Sequence, residues 1–487
     1  MIKLSKEKYQ DKVKACWIGK NIGGTMGAPY EAVRHTLDIQ GFSTPAGKAM
    51  PNDDLDLQLV WLHVAEKLGA KINAQILGEF WLNFIPPNWN EYGIAKNNMR
   101  RGLLPSIAGD YENEWKNSNG AWIRTEIWAC LTPACPAATA KYAIEDGKVD
   151  HGVGEGTYAA AFVGAMQSAA FVVSDIRKCI EIGLCAIPND SRVAKSIVKI
   201  LECYDSKIPA RQTRDIIFEM NKDIGSGWFE APSNVSYAII GLIYGEGDFK
   251  KSMITAINCG DDTDCTAATV GATLGILGGT DILPKDWCQH IGDDIVTISI
   301  DRSCAGYDLP TTCTELTERV VKKAPHILAE CTTEVEISSE ETIPENLVES
   351  FMEQIKSANL LDSLKPYSTH FDFAFAGVDM QVEGGPEITA LGEKKIHLTF
   401  ENKYLIYHSK CYNLSFRWWL PEGFSVEGKK SLILDNFNGI HSKYLAKSSI
   451  DFTIKAGETI QADNKCVLEV TAQGYYTPMY IPILLLS

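Results

Sequence analysis

The sequence predicts a multidomain protein: an all-α domain over residues 1–330, an acidic linker with one short helix over 331–365, and a C-terminal antiparallel β-sandwich over 366–487. Three observations carry that prediction. Small and apolar residues recur at helical spacing through the first two thirds. Alternation of period two takes over beyond Pro366. Two clusters of aspartates, about 210 positions apart, each open an apolar run.

Size and charge agree with this plan. A chain of 487 residues exceeds one ordinary core and suits two to three domains, and 45% apolar with 22% charged residues is a globular balance. The formal net charge of −16 argues against sequence-independent grip on nucleic acid or anionic lipid, which both reward a positive surface. The opening "MIKLSKEKYQDKVKACWIGK" has no apolar core of a secretory signal, and no run reaches the length of a membrane span. The fourteen cysteines are scattered without a C-x2-C pair, so reduced thiols in a cytoplasmic protein are expected rather than disulfides or a zinc site.

Taken along the chain, "YAAAFVGAMQSAAFVV" and "DIRKCIEIGLCAI" read as packed helices. "NDSRVAKSIVKILECY" reads as a helix capped from among Asn189, Asp190 and Ser191. Ala267, Gly271 and Gly275 recur every four residues, a stripe that lets a neighbouring backbone come close. "HGVGEGTYAA" follows no strand and lacks the full dinucleotide fingerprint, so its glycines are not read as a nucleotide fold. Pro344 is placed to begin the short helix of the linker. The alternating runs "HFDFAFAGVDMQV", "KKIHLTF", "YLIYHS", "NLSFRWWL", "SIDFTIKA" and "CVLEVTA", punctuated by "GGP" and Asn438-Gly439, are the expected strands.

The two acid clusters are the candidate chemistry. Asn52, Asp53 and Asp54 precede one apolar helix, and Asp261, Asp262 and Asp264 precede another. A helix N-terminus favours negative charge, which accounts for one acid per cluster but not for two or three. Adjacent carboxylates pointing in different directions suit a hard cation bound through oxygen, and four of them can share two ions. Solvent-exposed capping acids are the alternative. Trp89, Tyr92, Trp122 and Trp228, in expected loops, can stack on a base, although core packing explains each of them more simply.

Over roughly residues 10–330 the sequence resembles the ADP-ribosylglycohydrolase family. The stretches that carry the resemblance are "GGTMGAPYE" at 23–31, "NDD" at 52–54 and "GDDTDCTAATVGATLG" at 260–275, with a weaker match in "SNGAWIR" at 118–124. His151 fits a family histidine with a structural role. The resemblance implies a compact helical fold around a centre of two Mg2+ ions, with Mn2+ as the other candidate. The implied ligands are Asn52, Asp53, Asp54, Asp262, Asp264 and Cys265. Glu31, Asp53 and Asp54 are the implied catalytic residues, and Ser118, Asn119, Gly120 and Arg124 the implied phosphate-cradling contacts to substrate.

Asn52 and Cys265 depart from threonines of the family pattern, and sulfur is a poor partner for Mg2+. Gly24 stands where many members have an aspartate, and Asp261 is the acid least expected to coordinate. The implied activity is hydrolysis of an N- or O-glycosidic bond to ribose or ADP-ribose, with a ribosylated or ADP-ribosylated partner. The alternatives are a hydrolase of a smaller ribosyl or nucleoside-like metabolite and a non-catalytic, metal-dependent ADP-ribose-binding protein.

Overall fold

The computed structural model describes residues 1–302, 308–403, 412–434 and 447–487. Residues Met1–Ile94 with Asn113–Ser363 form one compact unit, and Ala95–Glu112 with Leu364–Ser487 form the other. The first unit is helical and the second is built on antiparallel sheets.

Helices that contribute residues to the candidate site include α1 (Lys6–Gly27), α2 (Asp53–Leu68), α3 (Asn90–Arg101), α4 (Pro136–Asp150), α5 (Ala231–Gly245) and α6 (Thr263–Gly278). The tightest seam joins α1 to α6, and its cause is the absence of side chains. A Cβ on Gly19 would lie 2.2 Å from the Gly271 carbonyl oxygen, one on Gly23 would lie 2.3 Å from the Ala267 backbone, and one on Gly275 would lie 2.3 Å from the Ala15 carbonyl oxygen. The stripe expected on α6 therefore faces a second stripe on α1. That seam fixes the N-terminus of α6 against the C-terminus of α1, where the Thr263 hydroxyl donates to the Gly27 carbonyl at 2.9 Å.

Capping follows the expected chemistry elsewhere. Ser191 caps the helix Arg192–Asp205 by accepting from the Ala194 amide, and Asp175 caps Ile176–Leu184. The segment 331–365 carries the expected short helix and a strand besides. Its strand β2 (Val335–Ser338) pairs in parallel with β1 (Ile2–Ser5), and its helix Leu347–Ser357 buries Leu347, Phe351 and Ile355 at a spacing of four. Both features tie it into the helical unit.

In the second unit, β3 (Ser368–Asp372), β4 (Ala376–Val382), β5 (Glu393–Asn402), β6 (Tyr412–Trp419), β7 (Ser425–Gly428), β8 (Ser431–Leu434), β9 (Lys447–Lys455), β10 (Asp463–Ala472) and β11 (Met479–Leu486) make two antiparallel sheets. Their orders are β3-β4-β5-β9-β7 and β11-β10-β6-β8. Phe416 on one sheet meets Phe400 and Phe452 on the other at ring separations of 5.8 and 5.4 Å, which is sandwich packing. The expected strand "YLIYHS" and the Asn438-Gly439 turn lie outside the described residues. The segment Ala95–Glu112 belongs here through the Tyr367 amide donating to Asp110 and the Thr369 hydroxyl donating to the Pro105 carbonyl. No helix among the described residues is long and apolar enough to cross a membrane. The twelve cysteines among them are free thiols, most of them buried.

Candidate metal centre

Three elements bring the acids together. Asn52 caps α2, its Oδ1 accepting from the Asp54 amide at 2.9 Å, which sets Asp53 and Asp54 in the first turn. Asp262 stands at the N-cap position of α6, with Asp264 and Cys265 in its first turn. The loop after α1 is stitched to the approach to α6: the Ala32 amide donates to the Asp261 carbonyl at 2.9 Å, and the Asp261 amide donates to the Val33 carbonyl at 2.7 Å. These two bonds deliver Glu31 to the same place.

The result is a concentration of unneutralised carboxylates. Ligand atoms of Asp54, Asp264 and Cys265 all lie within 4.8 Å of one another, and all three residues are buried. Both carboxylate oxygens of Asp54 and Oδ1 of Asp264 are buried without a hydrogen-bond partner. Burial, and after it the charge of Asp264 and Glu126, pushes Asp54 up to about 8 despite the opposing pull of Lys20. Burial first, then Asp54 and Asp264, raises half-buried Asp53 well above the carboxylate range. Asp262 is raised by burial and then by Asp264. Glu31 keeps contact with solvent, yet partial desolvation and then Asp264 push it up to about 7.

A lysine that pulls on Asp54 is already committed. Lys20, fully buried, pairs with Glu126 at 3.1 Å. Glu126 also accepts from Gln58 and Gln167, each at 3.0 Å. Unpartnered, buried, converging oxygens are the donor set that a hard divalent cation satisfies, so the residues fit Mg2+ or Mn2+. The Cys265 thiol lies among them, but burial and then the charge of Asp262 raise its pKa, which disfavours the thiolate that a soft ion would need.

The other expected residues divide. Asn119 joins the cluster, its Nδ2 donating to Asp262 at 2.6 Å. Ser118 lies 3.2 Å from His151 Nε2. Arg124 does not present a free charge: fully buried, it donates to Asp146 at 2.9 Å, to Asp150 at 2.7 Å and to the Gly120 carbonyl. It braces the turn from within the protein. Asp261 sits in the left-handed region at φ 68° with its carboxylate accepting from Asn234 and the Phe229 amide, so it is turned to α5. Tyr92 lies on α3 rather than in a loop, and both it and Trp122 are buried.

Sequence reasoning missed Lys20, Glu126, Glu91 and Glu230 near this centre. A lysine within the glycine-rich face of α1 was the available signal for the first. Gly24 has a visible reason: a Cβ there would fall 1.6 Å from Asn52 Nδ2.

A helical unit that gathers unpaired carboxylates at two helix N-termini defines a helical protein with a candidate hard-cation centre. The chain belongs to the ADP-ribosylglycohydrolase family, whose sequence profile matches residues 5–324. Among solved structures, an ADP-ribosylglycohydrolase-related protein complex is similar at 18% identity over 66% of this chain and 99% of its own, with a TM-score of 0.44. A FixG-related protein from Vibrio parahaemolyticus is similar at 10% identity, covering 24% of this chain and 98% of its own, with a TM-score of 0.19. The GAE domain of GGA2p from Saccharomyces cerevisiae is similar at 14% identity, covering 24% and 96%, with a TM-score of 0.16. No curated protein matches.

Proposed function

We propose that this chain is a glycohydrolase that uses hard divalent cations, Mg2+ or Mn2+, to cleave an N- or O-glycosidic bond to ribose or ADP-ribose. The observation that carries this reading is the set of buried, unpartnered oxygens of Asp54 and Asp264 beside each other in a chain of this family. Asp53 and Asp262 complete the four carboxylates proposed to hold two ions. Bound there, the cations supply Lewis acidity and a grip on the ribose hydroxyls.

The remaining work falls to the chain. Water adds through its oxygen to the anomeric carbon, and the glycosidic bond breaks with its electron pair going to the aglycone. One proton has to leave the water and one has to reach the aglycone. Glu31, solvent-accessible and pushed up to about 7, has an acidity suited to exchanging that proton. The acid-rich surroundings favour the positive charge that develops on the ribosyl ring.

The test is ribose or ADP-ribose release from a panel of ribosylated compounds, with and without Mg2+. Asp54→Asn and Asp264→Asn are expected to lose the Mg2+-stimulated rate by at least ~100-fold, more than the loss of a supporting group costs. A rate indifferent to chelation and to both substitutions sinks the reading.

A further inference from the structure

Resting on the hard-cation reading of the centre, we propose that Trp122 is a positioning residue for it: acting through Asn119, its indole N–H holds the Asp262 carboxylate in the orientation that receives the cation. The effect is indirect, passed from one side chain to the next.

The contacts run in one direction. Asn119 Nδ2 donates to Asp262 Oδ2 at 2.6 Å, and Asn119 Oδ1 accepts from the Trp122 indole at 2.9 Å. All three residues are buried, Trp122 completely. An indole N–H can only donate, and an ionised carboxylate can only accept. An amide turned the other way would set its carbonyl against the carboxylate and its NH2 against the indole N–H, leaving buried groups unsatisfied at both ends. The indole therefore decides which end of Asn119 faces Asp262.

Trp122 is itself held firmly. It opens a short 3-10 turn, Trp122–Arg124, in which its amide donates to the Asn119 carbonyl at 3.1 Å and its carbonyl accepts from the Thr125 hydroxyl at 3.2 Å. Arg124 ties the same turn to Asp146 and Asp150. The backbone of Asp262 has a separate anchor, its amide donating to Asn234 Oδ1 at 3.2 Å. Backbone place and side-chain orientation at Asp262 are thus held by different groups. Asp54 and Asp264 make the contrast, since both carboxylate oxygens of the first and Oδ1 of the second are buried without a hydrogen-bond partner. At Asp262 one lone pair is spent on Asn119, which orients the group and leaves others for a cation.

A double-mutant cycle tests this, read as Mg2+ affinity by calorimetry on the full-length protein with melting temperature followed beside it. Asn119→Ala is expected to weaken Mg2+ binding by ~10- to 100-fold, and Trp122→Phe, which keeps a ring and removes the N–H, by ~10-fold or more. Once residue 119 is alanine the indole has nothing to act through. Adding Trp122→Phe to Asn119→Ala is therefore expected to cost no further Mg2+ affinity, although it lowers the melting temperature again. Trp122→Met, which also lacks the donor, replaces Trp122→Phe in the cycle should that variant fail to fold. A tryptophan that serves packing alone would lose the same affinity in both backgrounds, or none in either. Either result, or a folded Asn119→Ala that binds Mg2+ as the parent does, overturns the proposal and leaves the metal centre standing. A parent that binds neither Mg2+ nor Mn2+ overturns both.

Discussion

Glu31 combines solvent contact with a carboxyl pushed up to about 7, so removing its charge touches chemistry more than packing. Glu31→Gln keeps size and reach while ending proton exchange. Its expected cost is about 10²- to 10⁴-fold in kcat with melting temperature and metal affinity unchanged. Unaltered turnover would transfer the proton to Asp53 or Asp54. Single residues were also where the sequence was least complete. The aspartates of each cluster stand out by type and spacing, but the fate of Arg124 depends on Asp146 and Asp150, more than twenty positions away, and nothing local announces that pairing. Gly24 and Asn52 are likewise a spatial pair, since the amide of the second fills the room the first leaves empty.

At the scale of elements, the seam between α1 and α6 is the device that positions the acids. Its α6 half was legible as a stripe of small residues, because periodicity survives in sequence. Its α1 half became evident only as the opposing surface. Gly271→Ala would set a methyl 2.1 Å from the Gly19 carbonyl, and backbone cannot rotate aside as a side chain can. A loss of ~3 kcal/mol or more is expected, at the severe end of overpacking, read as a fall in melting temperature together with weaker Mg2+ binding. A variant of parental stability would show that the seam is looser than its geometry. In the sandwich, alternation announced β5, β6, β9 and β10, whereas β11, which carries Pro482, was not among the expected strands. The sheet places β11 at its edge, where the missing N–H of Pro482 is tolerated. The four-residue strands β7 and β8 are too short for alternation to register.

For the whole molecule, the sequence suggests a division near residue 365, and the chain departs from it by lending Ala95–Glu112 to the β unit. Removing everything after Ser363 takes away the partners of Ser106, Asp110 and Pro105, so the helical unit is left carrying a segment stripped of its fold. The truncated chain is expected to melt at a lower temperature and with less cooperativity than the parent, and a scanning calorimeter showing an unchanged helical transition would refute that dependence. The α1–α6 seam has a consequence in time as well. Gly27 and Thr263, bonded in the finished protein, are 236 positions apart. At ~5–20 residues per second, roughly ten to fifty seconds of synthesis separate the emergence of the first from that of the second. Throughout that interval the glycine face of α1 is outside the ribosome without the helix it was shaped to meet, so the newborn chain has to be sheltered, or to wait half-folded, before its two aspartate clusters can meet.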